Sequence, residues 1–204
     1  DWSGNANNGV NHGATVVNGK FGNALNFDGI NDYVLYSLFI NNTYPITISF
    51  FAKSSIVPIV YMQPIIYVGS ESANGYGVYF GNPSSSNIML LFGTVVWIDS
   101  GFQPLANTYY NVIVTLSYYS SSQVTVNIYV NSILVHTEIV NNPIVPTNQI
   151  ALGSTTTFFT GVIDDLCIYN KILNSTEINI IYNNCVLPHQ SNQQVVNGGS
   201  VSVG

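Results

Sequence analysis

The chain has 204 residues, 47% of them hydrophobic, and carries a net charge of −6 with three Lys and no Arg. Nucleic-acid binding and basic membrane-surface patches both need clustered Lys and Arg, so these two classes of partner are excluded. The apolar stretches are shorter or more interrupted than the ~20 residues that a membrane-spanning helix requires. With 14 Tyr and 10 Phe, the chain is too aromatic for a disordered segment, and its length fits one domain.

Short strand signals recur along most of the chain, separated by Gly, Asn, Pro and Ser. In chain order they are TVVN and NALNF on either side of Gly19, then ITISFFAKS, YGVYFG, NIMLLFG and TVVWIDS. The clearest hairpin is NVIVTLSYYSSSQVTVNIYVNS, in which apolar residues alternate on both runs and Ser120–Ser122 form the tip. This alternation predicts an all-β protein, and a sandwich of two antiparallel sheets is the simplest architecture.

One short helix is predicted over 174–184, near the C-terminal end. Asn174 is followed three residues later by Glu177, which is a capping-box pattern with Asn in place of Ser or Thr. Ile178 and Ile181 then recur at helical spacing.

Beyond Cys185 the composition becomes polar. We therefore interpret residues 1–186 as one domain and residues 187–204 as a polar C-terminal tail. The tail is a linker, or its alternating run SVSV pairs with the edge of a sheet in the same chain or a neighbouring one.

Five segments carry a family resemblance when they are taken in chain order. They are DWSGNANNGV, GKFGNALNFDGINDYV, ITISFFAK, IYVNSILV and IALGSTTTFFTGVIDDLCIYNKILNSTEINIIYN. Together they resemble the laminin G-like, concanavalin A-like lectin/glucanase jelly-roll domains, with Phe51 where Trp is common and Ser132 where Gly is common. The resemblance implies a jelly-roll sandwich over about Asp1 to Asn183. Such folds host lectins, adhesion modules, glycan-binding domains and some glycoside hydrolases, so the fold alone does not select a function.

Catalytic residues are not predicted. Glycoside hydrolysis needs two carboxyl groups ~5–10 Å apart on either side of the scissile bond, whereas the three Glu are isolated in the sequence. Asp164 and Asp165 are adjacent on a predicted strand, so their side chains are expected on opposite faces. None of the three His lies in a nucleophile motif. We therefore expect a protein that is not an enzyme.

Two pairs of carboxylates are candidate calcium ligands. Asp28 and Asp32 lie four residues apart in NFDGINDYV, and Asp164 and Asp165 are adjacent. Calcium binds six to eight oxygens, which loops rich in Asp and Asn supply. The alternative is turn chemistry, because Asp-Gly and Asn-Asp favour tight turns and a buried Asp can accept backbone N–H groups. Structural calcium is the only cofactor that the sequence suggests.

Several aromatic and polar residues are candidates for contacts with a glycan. Sugar sites combine an aromatic ring, on which the apolar face of the sugar packs, with polar groups that bind its hydroxyls. A Tyr on the solvent face of a strand is also expected simply because Tyr is abundant here. The candidate ligand-binding residues are Trp97 and Asp99 on one strand, Asn127 and Tyr129 on the hairpin, and Tyr76 and Tyr79 on either side of Gly77.

Cys167 and Cys185 are the two cysteines. A disulfide between them would contribute about 3 kcal/mol in the chain-entropy model and would fit an oxidising compartment. Two buried thiols are the alternative.

Asn41 and Asn174 lie in N-glycosylation sequons, NNT and NST. The helix cap competes with modification at Asn174, so Asn41 is the favoured acceptor.

We therefore expect a non-catalytic recognition or adhesion module that binds a glycan or a cell-surface glycoprotein. Uncharged polar residues supply most of its surface polarity, which suggests an extracellular location on a cell or virion surface, although codon bias would enrich the same residues. The alternative function is a structural subunit of a surface filament or virion, self-assembled by strand addition through the tail.

Overall fold

The computed structural model describes residues 7–36, 44–56, 62–69, 74–93, 96–141, 144, 146 and 149–184. These residues form fourteen strands and one helix. In chain order the strands are β1 (Val10–His12), β2 (Thr15–Asn18), β3 (Asn23–Asp28), β4 (Tyr33–Tyr36), β5 (Ile46–Ser54), β6 (Gln63–Gly69), β7 (Gly75–Asn82), β8 (Ser85–Phe92), β9 (Val96–Asp99), β10 (Tyr110–Ser120), β11 (Gln123–Val130), β12 (Ile133–Asn141), β13 (Ile150–Leu152) and β14 (Thr160–Tyr169). The helix, α1, spans Ser175–Asn184.

The strands form two antiparallel sheets of seven strands each. Sheet I has the order β1-β4-β13-β6-β7-β8-β9, and sheet II has the order β12-β11-β10-β5-β14-β3-β2. Many neighbours in a sheet are distant in sequence, as a jelly roll requires; β5, for example, pairs with both β10 and β14. The prediction of a two-sheet jelly-roll sandwich with one short helix is confirmed.

The main core lies between the two sheets. Strand β11 shows how the sequence produces it, because its residues alternate between fully buried and half-buried positions. Val124, Val126 and Ile128 face sheet I and are completely buried, whereas Thr125 and Asn127 point outward. Full burial of one such aliphatic side chain contributes about 1.5–3 kcal/mol, so strict alternation fixes which face of the strand packs inward.

The helix covers part of the outer face of sheet II. Ile178 and Ile181 pack with Ile113, Cys167 and Tyr169 in a second buried cluster. This layer explains why the outward-facing residues of the central strands are also buried.

The helix begins with the predicted capping box. The Asn174 N–H donates to Glu177 Oε2 at 3.0 Å, and the Glu177 N–H donates to Asn174 Oδ1 at 3.0 Å. These reciprocal bonds satisfy two groups that the first helical turn leaves without partners. Within the described residues, no helix has the length and apolar composition needed to cross a membrane.

Candidate functional site

Trp97 lies on the outward face of sheet I, on its edge strand β9. The register of β9 places Trp97 opposite Leu91 and Asp99 opposite Met89. The indole is half-buried and meets the Tyr79 ring edge to face, with 5.1 Å between the centroids. Tyr79 is itself buried, in a cluster with Tyr67, Met89 and Leu91. Trp97 is therefore a partly accessible aromatic platform held from beneath by a packed apolar layer.

Glycine allows that layer to pack closely against the sheet. The Tyr67 ring lies against the backbone of Gly75 and Gly77 on the neighbouring strand, and a side chain at Gly77 would clash with the ring. The close approach of Tyr67 to β7 thus depends on these two residues.

The Asp99 carboxylate is held by three hydrogen bonds beside Trp97. Its Oδ1 accepts from Asn87 Nδ2 and from the Gly101 N–H, both at 2.8 Å, and its Oδ2 accepts from Ser85 Oγ at 2.9 Å. We name Trp97, Asp99, Asn87 and Ser85 the β8–β9 face.

The same contacts determine the charge of Asp99. Partial burial raises the pKa of Asp99, but the hydrogen bonds from Gly101, Asn87 and Ser85, together with the charge of His136, outweigh it and hold the pKa below its usual range. Asp99 is therefore an ionised acceptor at neutral pH.

Ser85 and Asn87 are residues of this face that the sequence analysis did not identify. They alternate with Met89 and Leu91 along β8, so that all four side chains share one face of the strand. The available signal was strand geometry, which places every second residue of SSNIMLLF on the same face. Their link to Asp99 depends on the pairing of β8 with β9.

Strand β12, one of the two edge strands of sheet II, carries a His–Glu pair. His136 Nε2 lies 3.1 Å from Glu138 Oε2 on β12, and the two side chains form an ion pair when the imidazole is protonated. The charge of His136 contributes to the lowered pKa of Asp99, and β12 and β9 are edge strands of their respective sheets.

Of the other predicted glycan-contacting residues, Tyr79 joins Trp97 only as its buried support, and the rest lie elsewhere. Tyr76 is 2% exposed, belongs to the main core and stacks on Phe92. It is therefore a core residue, because its position on β7 points it between the sheets. Tyr79 is 3% exposed and supports Trp97 from below.

Asn127 and Tyr129 lie on the outward face of sheet II, across the sandwich from Trp97. Asn127 Oδ1 accepts from Thr137 Oγ1 at 2.8 Å, and Asn127 Nδ2 donates to Thr115 Oγ1 at 3.2 Å. Tyr129 packs against the cluster beneath α1, and burial raises its pKa. The six candidates are thus divided between two faces and the core.

Asp28 and Asp32 both bind backbone N–H groups. Asp28 Oδ1 accepts from Ile30 at 2.8 Å and from Asn31 at 3.4 Å, which is an Asx-type turn. Asp32 is buried, and its Oδ2 accepts from the Asp28 N–H at 2.9 Å. These contacts support the turn interpretation of the pair.

Asp164 holds the turn between β2 and β3. Its Oδ2 accepts the N–H groups of Lys20 at 2.6 Å and Phe21 at 3.1 Å. Burial raises the pKa of Asp164, and the hydrogen bonds from Phe21, Lys20 and Asp165 only partly oppose this rise.

The expectation that Asp164 and Asp165 point to opposite faces of a regular strand needs correction. The register of β14 with β5 shifts between Asp164 and Cys167, and Asp165 has a φ of 49°. This bulge interrupts the alternation.

Calcium binding stays a prediction for all four carboxylates. Within the described ranges, no three His, Cys, Asp or Glu residues lie close enough together to hold a metal ion. Asp28 Oδ1, Asp32 Oδ2 and Asp164 Oδ2 each accept backbone N–H groups, as described above.

The predicted disulfide, glycosylation sites and tail are only partly covered by the described residues. Cys167 is buried, which raises its pKa to about 12 against the opposing effect of a hydrogen bond with Tyr169. Cys185 lies outside the described residues, so the disulfide stays a prediction. Asn41 lies outside them as well, as does the whole 187–204 tail. Asn174 is exposed and caps α1, and its glycosylation stays a prediction.

A family model described as the concanavalin A-like lectin/glucanases superfamily matches residues 28–179. No curated protein sequence matches the chain significantly.

Similar solved structures share the fold at low sequence identity. Domain 4 of AbnA, an extracellular GH43 arabinanase from Geobacillus stearothermophilus solved with arabinotriose, is 18% identical, with a TM-score of 0.69 over 85% of this chain and 87% of that one. A botulinum neurotoxin type C structure, whose cell entry depends on two ganglioside molecules, is 17% identical, with a TM-score of 0.67 over 88% of this chain and 47% of that one. This chain therefore spans about half of the neurotoxin chain. Both similarities concern the fold.

Proposed function

Because the chain belongs to the concanavalin A-like lectin/glucanase superfamily, we propose that it is a non-catalytic extracellular module that binds glycans through the β8–β9 face. The observation that carries this proposal is the half-buried Trp97 beside the hydrogen-bonded Asp99. Structures of similar fold solved with arabinotriose or described with gangliosides support carbohydrate as the ligand class.

The two parts of the face suit the two surfaces of a sugar. The apolar C–H face of a sugar ring packs on the indole of Trp97, which Tyr79 keeps in place. An ionised carboxylate offers about four acceptor positions, and Asp99 uses three of them internally. A sugar hydroxyl can donate to the remaining position.

The electrostatics of the face support binding rather than hydrolysis. A general acid in a glycosidase needs a raised pKa, whereas the pKa of Asp99 is lowered. Asp164, a carboxyl group whose pKa is raised, holds a turn of sheet II instead.

Replacement of Trp97 tests the proposal. We expect the full chain to bind members of an array of oligosaccharides. Trp97→Ala should lower the affinity for the best of them about two- to twelvefold in calorimetric titrations, because ring packing contributes about 0.5–1.5 kcal/mol. Tyr119→Ala is the matched control, since Tyr119 is an aromatic residue 62% exposed on the β10–β11 hairpin of sheet II. Equal affinities for the two variants would contradict the proposed site.

Assembly by strand addition is the second candidate function. Strand β12 is nine residues long and forms an outer edge of sheet II, with Ile133 67% and Ile139 42% exposed. Such an edge can accept a further strand. Light scattering of the full chain and of a chain ending at residue 186 tests this function. Assembly that is lost on truncation would support a donor role for the tail, whereas two monomers would contradict it.

A further inference from the structure

We propose that the ligand of the β8–β9 face is an uncharged glycan, without sialic acid, uronic acid or sulfate groups. This inference rests on the proposed function and specifies its ligand class. It depends on the distribution of charge over the described part of the sandwich.

Negative charge lies next to the platform. Asp99 is exposed and lies two residues from Trp97 on the same face of β9. Glu138 on β12, which pairs with the His136 whose charge acts on Asp99, has a side chain 48% exposed. The nearby His136 is occupied by Glu138 at 3.1 Å. An anionic sugar on Trp97 would therefore meet like charge.

The three lysines of the chain lie elsewhere. Lys20 lies in the β2–β3 turn with its ammonium 5.9 Å from the Phe21 ring centroid, and Lys53 on β5 lies 4.7 Å from that of Tyr109. Lys171 pairs with Glu177 at the start of α1. All three therefore belong to sheet II or to the helix that covers it.

The sequence contains no Arg, so the chain cannot form the bidentate guanidinium contacts with which proteins hold carboxylate and sulfate groups. An anionic glycan would thus lose its hydration at this face without a cationic partner. A neutral glycan has no such cost, and its hydroxyls match the acceptor on Asp99 and the polar groups of Ser85 and Asn87.

Matched glycan pairs test the inference. The full chain is screened on an array in which arabinotriose, lactose and other neutral oligosaccharides stand beside sialylated and sulfated derivatives. The strongest matched pair is then titrated by calorimetry at 20, 150 and 500 mM NaCl. We expect the neutral member to bind at least threefold more tightly at 20 mM NaCl, and the ratio to fall as salt screens the repulsion.

Two variants test whether the preference for neutral over anionic glycans arises at the β8–β9 face. Asp99→Asn should lower the ratio of neutral to anionic affinity, whatever its effect on either affinity alone. Glu177→Gln removes the same charge on the α1 side of the sandwich and keeps a capping-box residue, so it should leave the ratio unchanged. Equal or tighter binding of the anionic member, or an unchanged ratio in Asp99→Asn, would overturn the inference while leaving glycan binding in place. Absence of binding to every array member would overturn the proposed function and this inference with it.

Discussion

Asp164 shows how a single buried carboxylate can organise the backbone around it. It is 1% exposed, and one of its oxygens binds the N–H groups of Lys20 and Phe21 in the turn that joins β2 to β3. Gly19 in this turn leaves room for the carboxylate, because a side chain there would clash with it. These hydrogen bonds stabilise the turn, but burial of the charged carboxylate costs free energy. This desolvation raises the pKa of Asp164.

Replacement of Asp164 should separate the stabilising hydrogen bonds from the cost of desolvating the carboxylate. Asp164→Ala leaves two N–H groups without their acceptor, so we expect it to lower the free energy of unfolding by about 1–3 kcal/mol. Asp164→Asn retains one oxygen acceptor and should be less destabilising at pH 7. Urea unfolding measures both changes.

The pH dependence of the same variants has a definite sign. A carboxyl group whose pKa is higher in the folded state binds more protons there, so its contribution to stability falls as pH rises from its unfolded pKa through its folded pKa. The wild type should therefore lose stability relative to Asp164→Asn as the pH rises above about 4, the usual pKa of an Asp side chain in an unfolded chain. A wild type that gains stability relative to this variant over the same range would contradict the explanation.

At the scale of an element, the β11–β12 hairpin carries a turn with two left-handed residues. Asn131 has a φ of 50° and Ser132 a φ of 66°, which is the pattern of a type I′ turn. Asn131 is also tied to β10, since its Oδ1 accepts the Asn111 N–H at 3.0 Å and its own N–H donates to the Asn111 carbonyl at 2.9 Å. Ser132 occupies a backbone conformation that costs a non-glycine residue about 1 kcal/mol or more.

We expect Ser132→Gly to raise the free energy of unfolding by about 0.5 kcal/mol, because the relief of the left-handed conformation exceeds the entropy that glycine adds to the unfolded chain. Asn131→Gly is the matched control. It relieves the same kind of conformation but removes the side-chain bond to Asn111, so it should be destabilising. Thermal and urea unfolding compare the two, and destabilisation by Ser132→Gly would show that the turn does not carry this strain.

The sequence predicted those elements whose pattern is local. Alternation identified β11, and the spacing of Asn174 and Glu177 identified the start of α1. Strand β13 was not identified, because three consecutive buried residues give no period, although it lies in the middle of sheet I between β4 and β6. The bulge after Asp164 was also missed, since a register shift depends on the partner strand.

The candidate site was predicted only in part for the same reason. Trp97 and Asp99 share a face because they are two residues apart, and that relation is visible in the sequence. Their neighbours Ser85 and Asn87 are brought to them by the pairing of β8 with β9. The assignment of Asn127 to the other sheet depends on the order of strands in the jelly roll, which period-two patterns do not encode.

At the scale of the whole molecule, the two outer faces of the sandwich differ in character. Sheet II carries α1 over part of its outer surface, and the three Lys lie on its side. Sheet I presents Trp97 and an ionised Asp99 near one rim. This asymmetry predicts that a glycan binds one face and leaves the opposite face unchanged.

The most direct test of glycan binding at the β8–β9 face is the amide and indole N–H spectrum of the ¹⁵N-labelled full chain, titrated with the neutral oligosaccharide that gives the strongest array signal. The Trp97 indole resonance is assigned as the one lost in Trp97→Phe. We expect saturable shifts of this resonance and of the Asn87 side-chain amide, whereas the Asn127 side-chain amide on sheet II stays in place. Shifts of the Asn127 amide with an unchanged Trp97 indole would contradict the assignment and place the ligand on the other face.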